Sequence, residues 1–210
     1  MNFTKLFVGT LALSAMLVAC GDGSVYGTLT DTRAVKTYKT VKIGAQTWMA
    51  ENLNYETGNS YCYDNNASNC TKYGRLYTWA AAQNACPDGW HLPSKAEFET
   101  LLEAVGGVQD SEDYWLWQEA GKKLKSTRGW NEYKGESGNG TDSFGFSALP
   151  AGYWLSGGGY LDEGGNEAFW GSSEDDSGNA ILMGLFYSNG GAYLDYDGKD
   201  GGFSVRCLKD

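Results

Sequence analysis

The chain has 210 residues, 26 of them acidic against 16 basic, for a net charge of −10 at pH 7. Nucleic-acid binding relies on clustered Lys and Arg to neutralise phosphates, so this balance excludes it as a function. The one histidine, His91, is the only side chain open to histidine-dependent acid–base chemistry.

Residues 1–19 carry Lys5, an apolar run from Leu6 to Ala19 and no acid. This is the pattern of a secretory leader, and the run falls short of the roughly 20 apolar residues that span a bilayer. Leu17-Val18-Ala19-Cys20 resembles a bacterial lipobox, in which the thiol is acylated and the chain is cut just before it. Residues 1–19 are then a lipoprotein signal peptide, Cys20 is the lipid attachment and membrane contact, and residues 20–39 form a lipidated N-terminus and tether. An ordinary secreted protein cut nearby is the alternative. Loss of Lys5 leaves 15 basic against 26 acidic residues, a net charge of −11. The expected location is the cell envelope, at the outer membrane or cell surface.

Export suits the remaining cysteines, Cys62, Cys70, Cys86 and Cys207, an even number in an oxidising compartment. Four cysteines allow three pairings. The simplest joins Cys62 to Cys70 and Cys86 to Cys207, worth about 2.6 and about 4.9 kcal/mol in loop entropy. Zinc is the alternative, but there is no CxxC pair and His91 lies far in sequence from three of the thiols.

In chain order, Gly21 to Thr40 has little apolar periodicity and reads as tether and approach. Val41 and Ile43, then Trp48 and Met49, flank a Gly44-Ala45 turn and predict a hairpin. Asn52 to Asn69 reads as a surface loop closed by its cysteines. Leu76 to Ala85 carries helical spacing and ends at Cys86-Pro87, followed by a turn at Asp88-Gly89. Ser94 and Glu97 form an S-x-x-E capping box ahead of Phe98, Leu101, Leu102 and Val105, and Gly106-Gly107 stops that helix. Tyr114 to Leu124 predicts a shorter helix. Beyond Lys125 the segments 146–155, 168–172, 180–187, 192–196 and 203–208 read as strands, with residues 197–202 as a hairpin turn. Helices before a main sheet make an α+β arrangement in one domain, residues 40–210.

Val41-Lys42-Ile43-Gly44, Gln46-Thr47-Trp48-Met49, Glu51-Asn52-Leu53, Cys86-Pro87-x-Gly89-Trp90-His91-Leu92-Pro93-Ser94, Phe169-Trp170-x-Ser172-Ser173-Glu174 and Ser204-Val205-Arg206-Cys207 resemble the Fibrobacter succinogenes major paralogous domain, a family of exported bacterial domains. The resemblance runs from about Thr40 to the C-terminus. That family in turn resembles the C-type-lectin-like fold: two to three helices, a short-stranded, mainly antiparallel sheet and long Gly-rich loops. In that fold a cysteine near the first helix pairs with one on the last strand, places that Cys86 and Cys207 occupy, which supports the long disulfide. The EPN or QPD and the WND tripeptides of calcium-dependent sugar sites are absent. Trp130-Asn131-Glu132, the nearest approach to the last, stands before the core strands and takes no calcium role.

His91 sits inside a turn among Trp90, Leu92 and Pro93 and reads as a structural histidine, with no nucleophile beside it. The chain is rich in aromatics, with 8 Trp and 14 Tyr. Trp130, Tyr133, Tyr153, Trp154 and Tyr160 lie in or beside Gly-rich segments and are the candidates for stacking on a sugar face. Glu174, Asp175 and Asp176 are the only candidates for a hard cation, and calcium the only metal they suggest. Asp195, Asp197 and Asp200 do not fit an EF-hand loop. The sequence therefore predicts a lipid-anchored, non-catalytic domain without a cofactor, binding a polysaccharide or a surface protein. The alternatives are an enzyme related to formylglycine-generating enzymes, which needs a free thiol, and a purely structural envelope protein.

Overall fold

The computed structural model describes residues 25–157 and 159–210 together with the short strand Val18–Ala19. The leader, apart from that strand, and the lipid site Cys20 lie outside the described residues.

The hairpin around Gly44 forms as predicted. Lys36–Ile43 pairs with Gln46–Met49, with Val41 opposite Trp48, and Gly44 makes the turn at φ +58°, a left-handed conformation that favours glycine. The sheet starts earlier than predicted, because Val25–Asp31 pairs with Lys36–Ile43 along its whole length. Residues 25–39 are therefore not a tether. Val25–Asp31 buries only Leu29 and Asp31, too sparse a pattern to read as a strand. At the other end of the chain, Leu208–Lys209 pairs with Trp48 on one side and with Trp90–His91 on the other.

The segment from Asn52 to Asn69 is more ordered than a loop. It holds the strand Ser60–Tyr61 and leads into the helix Ala67–Tyr73, whose N-cap Asn66 accepts from the Ser68 amide. A disulfide ties Cys62 to Cys70, with the Cα atoms 4.9 Å apart. The helix expected over Leu76 to Ala85 shrinks to Trp79–Ala82, because Leu76–Thr78 is a strand paired with Ser60–Tyr61 and Gly202–Phe203. Tertiary pairing overrides the helical propensity of the alanine run here.

The capped helix is Lys95–Ala104. Ser94 Oγ accepts from the Glu97 amide, and the Glu97 carboxylate accepts from the Ser94 amide at 2.7 Å. A cap of this kind stabilises a helix by about 1 kcal/mol. Phe98, Leu101 and Leu102 are fully buried on its inner face, each worth about 2 kcal/mol in apolar transfer. The helix predicted over Tyr114 to Leu124 splits into a strand, Leu116–Gln118, and a short helix, Ala120–Leu124.

A five-stranded antiparallel sheet is the centre of the domain: Asn166–Glu174, Ala180–Phe186, Ala192–Asp197, Leu116–Gln118 and Val108–Gln109 in spatial order. The run Ala180–Phe186 reads apolar throughout because both of its faces are covered. Ile181, Met183 and Leu185 join the core beneath Lys95–Ala104, while Ala180 and Leu182 join a second core with Tyr38, Tyr77, Phe203 and Val205. Of the predicted strand over 146–155, only Tyr153–Leu155 is a strand, in a third sheet with Gly159–Leu161 and Gly202–Phe203. The 197–202 segment is not a hairpin turn, since Ala192–Asp197 and Gly202–Phe203 belong to different sheets and the chain crosses between them.

Phe203 to Cys207 runs between these layers. Ser204 bridges Phe169 in parallel, and Cys207 closes its disulfide with Cys86. Arg206 is fully buried and donates Nε to Asn52 Oδ1 at 2.8 Å and its terminal nitrogens to the Phe146 and Ser147 carbonyls. Asn52 in turn donates Nδ2 to Glu167 Oε1 at 2.9 Å and to Ser204 Oγ at 3.1 Å. Burial pushes the Glu167 carboxyl up to about 8, against hydrogen bonds from Ala151, Ser204 and Asn52 and the charge of Arg206. This polar joint ties the N-terminal sheet, the central sheet and the C-terminal segment together.

Candidate functional site

The central sheet is covered by Phe203, Val205 and Tyr77 over only part of that face. Toward Asn166, Phe186 and Tyr193 the face opens into a groove of about 790 Å³. Strand register explains its shape. Tyr193 lies opposite Gly184, and Gly184 lies opposite Ala168, so the floor there is built from residues with little or no side chain. A Cβ added at Gly184 would come within 3.4 Å of the Phe186 ring. Phe186 and Tyr193 stand on this floor edge to face, ring centroids 5.3 Å apart. The opposing wall is Tyr153 stacked on Phe203 at 5.7 Å, an interplanar angle of 23°.

Polar groups complete the groove. Tyr193, Asp195 and Asp197 alternate along Ala192–Asp197 and share its groove face, while Ala192 and Leu194 turn into the core. Asp195 and Asp197 are exposed, each with one carboxylate oxygen accepting from the next residue's amide, Tyr196 and Gly198. Asn166, which also lines the groove, donates to Asp162 Oδ2 at 2.7 Å. Burial raises the Tyr153 hydroxyl, and the charges of Asp162 and Asp197 raise it further. No Lys, Arg or His lines the groove.

Of the five aromatic candidates from sequence, only Tyr153 lies in this groove. Trp130 is 5% exposed and donates Nε1 to Ser126 Oγ and the Ala148 carbonyl, beneath the Lys125 ammonium. It is a core residue, closed to a ligand, and not the stacking surface its sequence position predicts. Trp154 and Tyr160 sit on the opposite face of their hairpin from Tyr153: Trp154 stacks on Tyr61 at 4.6 Å, and Tyr160 packs against Tyr63 and donates to Asn65 Oδ1. Tyr133 lies on a separate two-stranded ribbon against Tyr187.

The sequence reading missed Phe186, Tyr193, Phe203, Asp195 and Asp197. The alternation in Ala192-Tyr193-Leu194-Asp195-Tyr196-Asp197 was the available signal, since it sets Tyr193 and both acids on one face. What the groove needs beyond that is the approach of Tyr153 and Phe203 from a different sheet, which no local pattern carries.

Two of the three carboxylates proposed for a cation are engaged elsewhere. Glu174 pairs with Lys199, while Asp175 accepts from the Ser177 and Asn179 amides and from Asn179 Nδ2. Among the described residues no three His, Cys, Asp or Glu side chains are placed to hold a metal ion. His91 holds a structural position: Nδ1 lies 2.6 Å from Asp210 Oδ1 and Nε2 lies 2.9 Å from Glu97 Oε1.

No curated protein and no solved structure shows a significant match to the chain. One family does match, over most of the length and over the segments that build the hairpin, the capped helix and the C-terminal joint. The chain belongs to the Fibrobacter succinogenes major domain family, whose sequence model covers residues 41–209.

Proposed function

We propose that this protein is a non-catalytic glycan-binding domain of C-type-lectin-like fold, held at the cell envelope by a lipid on Cys20. The observation that carries the binding reading is the groove formed by Tyr153, Phe203, Phe186 and Tyr193. Two aromatic walls over a floor cleared by Gly184 and Ala168 make a slot for flat, partly apolar rings, with Asn166 and the aspartates as hydrogen-bonding partners at its edges. The lectin-like fold is supported by the Cys86–Cys207 disulfide and by the last strand pairing beside the first hairpin. Envelope anchoring rests on the leader and on the lipobox at Leu17 to Cys20. Calcium has no part in this reading, because the groove aromatics and amides provide the contacts.

The pairing of Cys62, Cys70, Cys86 and Cys207 weighs against the formylglycine-type enzyme, which needs a free thiol. The test is a glycan array probed with the full chain purified in mild detergent, beside Tyr193→Ala. The expected result is binding to at least one polysaccharide class, weakened about tenfold or more in the variant, the loss of one ring's stacking. Absence of any glycan bound would overturn the proposal in favour of a protein ligand or a purely structural role.

A further inference from the structure

We infer that the groove selects glycans that carry free amino groups, the glucosamine type of polymer, over neutral or acidic ones. The inference rests on the glycan-binding reading above and deepens it.

The acidic and basic side chains that line the groove are all carboxylates, Glu167, Asp195 and Asp197. Asp195 and Asp197 stand on the floor strand beside Tyr193, and no basic residue lines the groove. Asp195 and Asp197 are two residues apart on one strand face, so their carboxylates follow the groove at the spacing of successive outward side chains, roughly 7 Å. Each keeps an oxygen beyond its single local hydrogen bond. A uronic-acid or sulfated polymer entering here meets only like charge, while an ammonium group on a ring stacked against Tyr193 meets carboxylates along the strand. The chain's overall acidic balance adds to the same preference at longer range.

The groove also favours a sugar over a basic peptide. An extended peptide that adds to a sheet pairs with the main chain of a free edge. This floor is a sheet face: Ala180–Phe186 is paired on both sides, by Asn166–Glu174 and by Ala192–Asp197. What it offers is ring faces and carboxylates, with no unpaired amide ladder on that central strand.

The experiment is isothermal titration of the full chain in mild detergent with three hexasaccharides: glucosamine, N-acetylglucosamine and glucose, all β-1,4-linked, at low and moderate salt and at a pH where the amines are protonated. A Lys-rich peptide of similar length is the fourth ligand. The glucosamine oligomer should bind about tenfold tighter than either uncharged one, with the advantage shrinking severalfold at higher salt. Asp195→Asn with Asp197→Asn should remove most of that advantage and leave the uncharged oligomers unchanged. Asp176→Asn, a carboxylate outside the groove, should leave all affinities unchanged. Equal affinity for charged and uncharged oligomers, or tighter binding of the peptide, would overturn the inference; equal glycan affinities would leave the glycan-binding proposal standing. Binding of none of the oligosaccharides would overturn the inference, and only together with an empty glycan array would it overturn the glycan-binding proposal.

Discussion

Arg206→Met tests the polar joint most directly. Its guanidinium is fully buried and satisfies three acceptors, Asn52 Oδ1, the Phe146 carbonyl and the Ser147 carbonyl. It also lies 4.4 Å from the Phe146 ring centroid and 5.2 Å from that of Phe169. Met keeps most of the apolar stem and its packing but leaves all three acceptors without a donor. At about 1–3 kcal/mol for each orphaned acceptor, that loss is about 6 kcal/mol. An opposing effect reduces it. Burial lowers Arg206 from its ordinary 12.5 to about 10, against the charges of Glu167, Asp142 and Glu51, so holding the cation there costs the folded state roughly 3 kcal/mol, which Met no longer incurs. The net destabilisation is then about 3 kcal/mol, read by urea unfolding with the disulfides intact. Arg206→Lys should be no better than Met, because it keeps the buried charge but cannot reach three divergent acceptors from one ammonium. A Met variant as stable as the wild type would show that the acceptors find other partners, and would refute the account of the joint.

Two further outcomes follow from the same scaffold. Replacing Cys86 and Cys207 together by alanine opens a loop of 121 residues, and the loop-entropy estimate puts the loss at about 4.9 kcal/mol; a loss under about 1 kcal/mol in urea unfolding would mean that the polar joint alone holds the C-terminal segment. For His91, burial opposes the charged form, but hydrogen bonds to Asp210 and Glu97 outweigh it and raise the pKa above its ordinary 6.5. Because the folded pKa is the higher one, the stabilisation is complete below about pH 6 and disappears as pH rises through the folded value. The stability difference between wild type and His91→Gln should therefore be larger near pH 5.5 than near pH 9, and an equal difference at both would sink the ion-pair reading.

Local signals were legible where the cause is local. The Ser94–Glu97 box, the apolar face of Lys95–Ala104 and the Gly44 turn each depend on residues within one turn of helix or one hairpin, and each forms where the spacing places it. The α+β class was legible for the same reason. Elements whose state is decided by partners far along the chain were not. Leu76–Thr78 has helical spacing but pairs with Gly202–Phe203 more than a hundred residues away. Val25–Asp31 buries almost nothing of its own and is a strand because Lys36–Ile43 presents an edge. The candidate site shared this fate: Tyr153 was legible as an aromatic in a Gly-rich segment, whereas Tyr193 and Phe203 became wall residues only through the crossing between sheets.

That crossing also sets the two sides of the groove. Between Asp197 and Gly202 the chain leaves the central sheet and enters the third one, so two consecutive stretches of backbone become opposite walls. Tyr193 and Asp195 stay on the floor strand, and Phe203 arrives under Tyr153. The segment immediately after Phe203 is firmly held, through the Ser204 bridge, the Arg206 network and the Cys207 disulfide within four residues. The Phe203 wall is thus anchored by neighbours that make no contact with a ligand. On the proposed glycan-binding reading, a wall fixed in this way loses little conformational freedom when a sugar ring stacks on it, and more of the stacking energy remains as affinity. The Cys86–Cys207 and Arg206 variants should therefore weaken glycan binding even under conditions where the chain stays folded, because the wall loses its fixed spacing from Tyr193 before the sheets come apart.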